Sequence, residues 1–271
     1  MRTRMLVGIL LCVVAGATPA QAKKCPPDSV QVGVACIDKY EASVWNIPDV
    51  NPNGGSNAGL IKRVRKGTAT LAQLTSGGAT QYGTDYSPCL GNGSDCKDEV
   101  YAVSIAGVLP ARQITWFQAL AACGNSLKRL PTNAEWQLAA LGTPDPGTNN
   151  GTSDCNITTG TFAAASTGSR SDCESDWGAW DMVGNVIEHV QEWVPQSEPC
   201  GIEAWTSPAT FNDDMMCLFG ADTSSGTRFP GAVVRGGRFD SGMGAREGIY
   251  AITGDIPPTG GVAHLGFRCA R

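Results

Sequence analysis

The sequence is poor in charged residues and has no excess of positive charge. Only 17% of its 271 residues are charged, and 20 Lys and Arg stand against 25 Asp and Glu, which gives a net charge of −5. Neutralising nucleic-acid phosphates requires clustered Lys and Arg, so this balance argues against a nucleic-acid partner. The one basic cluster is interpreted as a solvated face, with a weak polyanion contact as the alternative. It contains Lys62, Arg63, Arg65 and Lys66.

No apolar run beyond the N-terminal segment is long enough to span a membrane, which predicts a mature chain without an integral membrane segment. The N-terminal segment combines Arg2 and Arg4, a short apolar run and an Ala-Gln-Ala tripeptide typical of a signal-peptidase site. This pattern predicts a cleaved signal peptide over residues 1–22 and a single domain over residues 23–271. We therefore expect an exported protein, either periplasmic or extracellular.

The sequence also lacks C-x-x-C pairs, and this absence argues against a zinc site. It has eleven cysteines, one of them in the predicted signal peptide, and an even number in an exported chain predicts disulfides. Pairing sequence neighbours across loops rich in Gly, Asn, Ser and Asp leaves Cys123 to join Cys269. Ten cysteines permit many pairings, and the proposed set is Cys25–Cys36, Cys89–Cys96, Cys155–Cys173, Cys200–Cys217 and Cys123–Cys269.

Apolar spacing and capping residues predict two helices. The first follows Thr115, after which apolar residues recur at the spacing of one helix face. The second begins at Thr132, which forms a capping box with Glu135, and it ends at Gly142. The residues expected on the buried faces are Trp116, Leu120, Cys123 and Leu127 in the first helix and Trp136, Ala139 and Ala140 in the second.

Loops and short strands account for the rest of the chain. Alternating apolar residues within 25–48 predict a hairpin, and residues 143–176 form a long loop rich in Thr, Gly, Asn and Asp. Short apolar runs at 233–234, 249–252 and 265–267 predict strands. The pattern favours one α+β domain held together by disulfides.

Four segments form a recognisable set in their order and spacing. They are KRLPTNAEWQLAA (128–140), WGAWDMVGNVIEHVQEW (177–193), VVRGGRFD (233–240) and HLGFRCAR (264–271). Together they resemble the formylglycine-generating, or sulfatase-modifying, family. The resemblance implies a C-type-lectin-like fold with a small twisted antiparallel core, two helices and very long loops. The family also pairs a cysteine in the helix before the RLPT segment with the one in GFRC, which supports Cys123–Cys269.

The resemblance further implies a calcium site in the DMVGNVIEH segment. The family uses the Asn and Glu of its GN-x-x-E segment as calcium ligands, and the matching residues are Asn185 and Glu188. Oxygen ligands close together on an irregular turn suit a hard cation. The alternative is a carboxylate satisfied by backbone amides. Ile187 and His189 stand where the family usually carries aromatic residues.

The oxidative chemistry of the family has no visible counterpart in this chain. Its aerobic enzymes oxidise a substrate cysteine with O₂ and copper held by two cysteines, and soft thiolates are the ligands that Cu(I) requires. Ser241 and Arg246 occupy the matching positions. The related sulfoxide synthases use a histidine-ligated iron, whereas His189 and His264 are far apart and belong to no ligand cluster. A Ser-His-Asp hydrolase is disfavoured too, because no nucleophile-elbow pattern is present. We predict no copper site, no iron site and no catalytic residue.

The last third of the chain resembles the C-terminal segment of C-type-lectin-like variable proteins, which are binders diversified by retroelements. In them a fixed skeleton alternates with solvent-facing positions that are changed to alter ligand choice. Mixed side chains on a rigid scaffold suit recognition, because little ordering entropy is lost on binding. The alternative is an ordinary solvated loop face. The matching skeleton is Gly237, Gly242, Gly248, Ile249, Tyr250, Ala251, Pro258, Gly266 and Phe267. The predicted ligand-facing positions are Asp240, Ser241, Met243, Arg246, Thr253, Asp255 and His264.

These observations predict an exported module that binds a protein or small-molecule ligand through its C-terminal surface, supported by Ca²⁺. The alternative is an extracytoplasmic oxidoreductase of the sulfatase-modifying or siderophore-maturation type that works without the usual copper cysteines. A third hypothesis is a structural envelope protein.

Overall fold

The structure is a computed structural model, and it describes residues 24–84, 89–96, 100–145, 149–157, 162–194, 216–217, 221–222, 228–240 and 247–271. The predicted signal peptide lies outside the described residues. Within them, every helix is too short or too polar to cross a bilayer.

Twelve strands and four helices form within the described residues. The helices are α1 (Ala58–Arg65), α2 (Leu71–Ser76), α3 (Trp116–Asn125) and α4 (Asn133–Ala140). The strands are β1 (Ser29–Val32), β2 (Ala35–Asp38), β3 (Ser43–Asn46), β4 (Thr80–Tyr82), β5 (Val100–Val103), β6 (Ile187–Val194), β7 (Met216–Cys217), β8 (Ala221–Asp222), β9 (Arg228–Phe229), β10 (Gly231–Gly236), β11 (Gly248–Ile256) and β12 (Leu265–Phe267).

The largest sheet has five strands in the order β12-β6-β10-β11-β7. Strand β10 pairs antiparallel with both β6 and β11, whereas β12 runs parallel to β6. A second sheet places β3 between β4 and β5, and β1 and β2 form the predicted N-terminal hairpin. The predicted strands near the C-terminus are confirmed as β10, β11 and β12.

Both predicted helices are confirmed, and their N-termini follow from side-chain chemistry. The Thr115 hydroxyl accepts from the backbone N–H of Gln118, and the Gln118 side chain accepts from the N–H of Thr115. Thr132 and Glu135 form the same reciprocal pair at α4. Helix α4 gives way to a turn in which Gly142 has φ +81°, a left-handed conformation that favours glycine.

The predicted buried face of α3 is partly wrong. Leu120 is 37% exposed, and Leu127 is 66% exposed with a positive φ beyond the end of the helix at Asn125. The helix ends before Leu127, so the last position of the apolar pattern is not helical, and Leu120 lies on the part of α3 that reaches solvent. Small side chains instead bring α3 onto the core. Its buried residues are Gln118, Ala119, Ala122 and Cys123.

Two further helices, α1 and α2, were not predicted. Helix α1 contains three residues of the basic cluster and the fourth, Lys66, is its C-cap; all four side chains are exposed, whereas Leu60 and Val64 are buried. Helix α2 begins with a capping box between Thr70 and Gln73. Both helices pack against the three-stranded sheet through an apolar cluster that includes Leu74.

Four of the five proposed disulfides are present: Cys25–Cys36, Cys89–Cys96, Cys123–Cys269 and Cys155–Cys173. Cys200–Cys217 lies outside the described residues, because Cys200 is not described. The Cys123–Cys269 bond ties α3 to the C-terminal tail. The tail also pairs with β2, where the Asp38 N–H donates to the Cys269 carbonyl at 2.9 Å. The tail thereby closes the domain onto its N-terminal hairpin.

Candidate functional site

A pocket of about 230 Å³ opens beside the five-stranded sheet. It is built from the start of β6, the segment after β10, the end of β11 and the turn before β12. We call it the C-terminal pocket. Its lining residues are Ile187, Arg238, Thr253, Asp255, Ile256, Val262 and His264.

Strand geometry explains why these side chains meet. The register of β11 against β10 shifts between Thr253 and Ile256, which marks a β-bulge or similar irregularity in this stretch. Such an irregularity re-aims side chains, and Thr253, Asp255 and Ile256 all line the pocket. Ile187 begins β6 and stands opposite Leu265 in the parallel pairing with β12. Its backbone N–H donates to the His264 carbonyl at 3.0 Å, which fixes the turn beside the strand.

A polar network joins the pocket to Asp240. The Arg238 Nε lies 2.8 Å from Asp240 Oδ1, and the other carboxylate oxygen lies 3.4 Å from His264 Nδ1. Arg238 Nη1 contacts His264 Nε2. His264 thus contacts Arg238 through Nε2 and faces Asp240 through Nδ1. The positive charge of Arg238 is therefore compensated beside the pocket.

Asp255 differs from Arg238, Asp240 and His264 in that its charge is not paired. Its side chain is exposed at the pocket, and within the described part of the chain its carboxylate has no ion pair or hydrogen bond. The pocket thus carries one uncompensated negative charge among its described lining residues.

The structure brings several of the predicted ligand-facing residues together. Thr253, Asp255 and His264 line the C-terminal pocket, and Asp240 is held beside it by Arg238 and His264. The remaining predicted positions lie outside the described residues. They are Ser241, Met243 and Arg246.

Four lining residues were not predicted. Arg238 lies in the VVRGGRFD segment, two residues before Asp240, in the irregular stretch after β10 where strand alternation does not apply. Ile187 was singled out in the sequence only because it stands where the family usually carries an aromatic residue. Ile256 and Val262 carry no sequence signal, because aliphatic residues next to turns are common in cores and pockets alike.

The predicted calcium residues have other partners. Glu188 accepts hydrogen bonds from Arg268 Nη2 at 2.6 Å and from the Trp136 indole at 2.7 Å, so it is not satisfied by backbone amides as the alternative supposed. The side-chain oxygen of Asn185 accepts from Asn156 at 3.0 Å, and its amide nitrogen donates to a carboxylate.

The carboxylate beside Asn185 belongs to Glu41, which also accepts from the Val186 backbone N–H at 2.9 Å. A calcium ion would have to displace Arg268 from Glu188. No group of three or more His, Cys, Asp or Glu in the described chain could hold a metal. As arranged here, Asn185 and Glu188 do not fit a calcium site, and calcium binding stays a prediction.

Arg268 is the centre of a buried charge cluster. Burial, together with the neighbouring Asp181 and Glu188, raises the pKa of Glu41 well above its usual value. Burial also raises the pKa of Asp181 to about 6. All four side chains are shielded from solvent and none lines the C-terminal pocket, so we interpret the cluster as structural.

Comparisons with known proteins show which family the chain belongs to. Residues 91–271 match the Sulfatase-modifying factor enzyme 1-like domain. A curated relative, the Formylglycine-generating enzyme of Thermomonospora curvata, is 31% identical over 180 residues, which is 59% of this chain and 55% of that protein. The chain therefore spans about half the length of this relative.

Solved structures with similar architecture include the Major Tropism Determinant M1 Variant, with a TM-score of 0.48 and 16% identity over 90% of this chain and 52% of that one. The Treponema denticola variable protein 1 has a TM-score of 0.38 and 21% identity over 59% of this chain and 70% of that one. By the domain match, which covers the α3, α4, β6 and β10–β12 framework, the chain belongs to the sulfatase-modifying factor family and has its α+β, C-type-lectin-like fold.

Proposed function

We propose that this chain is an exported ligand-binding module that acts through the C-terminal pocket. One observation carries the proposal: Thr253, Asp255 and His264, singled out as ligand-facing by sequence, line one solvent-open pocket. Binding sites of this kind are concave and mostly apolar, with a few polar groups that fix orientation.

The scaffold of the pocket supports this function. Its walls stand at the ends of hydrogen-bonded strands, and the tail that follows β12 is fixed by Cys123–Cys269. A preformed site loses little conformational entropy when a ligand enters. The four disulfides also support export, because such bonds persist in oxidising compartments.

The oxidoreductase alternative draws on the match to the formylglycine-generating enzyme. Against it, the two positions expected to hold copper are Ser241 and Arg246, neither of which offers a thiolate. The described lining of the C-terminal pocket contains no cysteine either. The residues therefore favour binding over oxidation.

A fragment-binding measurement with a pocket-filling variant tests the proposal. Val262 is half-buried in the pocket wall, so Val262→Trp should fill the pocket while the fold is kept. Leu120→Trp is the matched control, because Leu120 is 37% exposed on α3 and does not line the pocket. Saturation-transfer NMR with a library of charged and neutral fragments provides the readout.

We expect some fragments to bind the wild-type protein and the Leu120→Trp variant but not Val262→Trp, with all three proteins unfolding at similar temperatures. Fragment binding that survives Val262→Trp, or no binding to the wild type, would contradict the proposal. Oxidation of a cysteine peptide by the purified protein with copper and O₂ would favour the oxidoreductase instead.

A further inference from the structure

We propose that the C-terminal pocket takes an alkylammonium group, the chemistry shared by a lysine side chain and a free alkylamine. The proposal rests on the proposed binding function and names the class of ligand for the same site. It depends on two properties of the pocket, its aliphatic walls and its charge.

The walls suit an aliphatic stem. Ile187, Ile256 and Val262 come from three different segments and give the pocket hydrocarbon surfaces. Each is only half-buried, so part of its apolar surface is in contact with water. Methylene groups of a ligand would cover this surface while a charged end remained near solvent.

The charge of the pocket favours a cation. Arg238 is compensated by Asp240 at 2.8 Å, and His264 contacts both of them. Asp255 remains as a carboxylate without an ion pair or hydrogen bond in the described chain. An ammonium group beside Asp255 would complete the pairing of charges at this site.

The same arrangement disfavours an anion. A ligand carboxylate would have to displace Asp240 from Arg238, and it would also approach Asp255, which has the same charge. Like charges brought together in a partly enclosed site repel, so binding would be weakened.

A set of probes matched in length tests the inference on the mature protein. The probes are pentylammonium, the amide of Nα-acetyl-lysine, the amide of Nα,Nε-diacetyl-lysine, which is neutral, and the amide of Nα-acetyl-2-aminoadipate, which is anionic. Dissociation constants come from chemical-shift titrations in ¹H–¹⁵N NMR spectra. Asp255→Asn removes the charge at constant shape, and Asp49→Asn is the control, because Asp49 is exposed and does not line the pocket.

We expect the two ammonium probes to bind more tightly than the neutral and anionic ones, and Asp255→Asn to weaken them about fivefold. Asp49→Asn should leave their affinity unchanged. Tighter binding of the lysine amide would identify a protein side chain as the source, whereas tighter binding of pentylammonium would identify a free amine; either order supports the inference.

Equal or tighter binding of the neutral or anionic probe, or unchanged ammonium affinity in Asp255→Asn, would overturn the inference. The proposed function would stand in that case if other fragments still bound the pocket and were lost in Val262→Trp. The inference and the proposed function would both be contradicted only if no fragment of any charge bound the protein.

Discussion

Lys128 is a buried cation between two carboxylates. Its Nζ lies 2.7 Å from Asp28 Oδ2 and 2.7 Å from Asp38 Oδ1, and Arg271 approaches Asp28 from the tail at 2.9 Å. Burial raises the pKa of Asp38 to about 6, although Lys128 opposes the shift. At Asp28 burial acts in the same direction, but Lys128 and Arg271 outweigh it and lower the pKa. Asp38 therefore keeps its proton to a higher pH than a free aspartate does.

Asp38→Asn should change how stability depends on pH. Asp38 in the fold keeps a proton that the unfolded chain has already released, so its contribution to the free energy of unfolding falls as pH rises through about 6. The wild-type advantage over Asp38→Asn should shrink by about 2 kcal/mol between pH 4.5 and 7 in urea titrations. Asp49→Asn should show no such trend. A difference that is constant or grows with pH would contradict the assignment.

Single residues of the pocket were predictable only where a segment of the sequence matched a known pattern. Thr253 and Asp255 were predicted through the resemblance of the last third of the chain to the variable proteins, in which ligand-facing positions alternate with a fixed skeleton. Glu188 was different, because its partner Arg268 is 80 positions away and nothing near Glu188 reveals a guanidinium. Glu41 was not predicted for the same reason, because it lies far from its partner Asn185 in the sequence.

Among the elements, the link between α3 and the C-terminal tail bears most directly on the pocket. Cys123–Cys269 joins positions 146 residues apart, whereas Cys25–Cys36 joins positions 11 apart. Closing a longer loop removes more entropy from the unfolded chain. The loop-entropy estimate is about 5 kcal/mol for the long loop and about 3 kcal/mol for the short one.

Replacing both Cys123 and Cys269 by Ala should therefore lower the free energy of unfolding more than replacing both Cys25 and Cys36. Chemical denaturation of the two double variants under non-reducing conditions measures the difference. A larger loss for the Cys25 and Cys36 variant would contradict the role assigned to the long disulfide.

Helices α3 and α4 were predictable because each begins at a threonine that caps its own N-terminus. Helix α2 has the same capping signal at Thr70 and Gln73, so its N-terminus could also have been predicted from the sequence. Helix α1 has no side-chain cap, so its start carries no such mark. The parallel pairing of β12 with β6 depends on contacts across most of the domain, and no local pattern specifies it.

At the scale of the whole molecule, the fold class followed from four separated segments and not from composition or periodicity. Local patterns predicted a disulfide-held α+β domain, and the segments assigned it to a family with a defined topology. The aliphatic half of the C-terminal pocket could not be predicted, because it forms only where β6, β11 and the turn before β12 converge.

The central claim is that this family member keeps the fold but binds a ligand without the copper chemistry. Counting thiols in the native and then the unfolded mature protein, followed by Cu(I) titration of the same sample against a chromophoric chelator, tests it most directly. We predict no free thiol and no tight uptake of Cu(I), since the copper positions are Ser241 and Arg246, eight cysteines are paired in the described chain, and Cys200 and Cys217 are predicted to pair with each other. Two titratable thiols that hold Cu(I) tightly would contradict the account and make oxidation the better explanation.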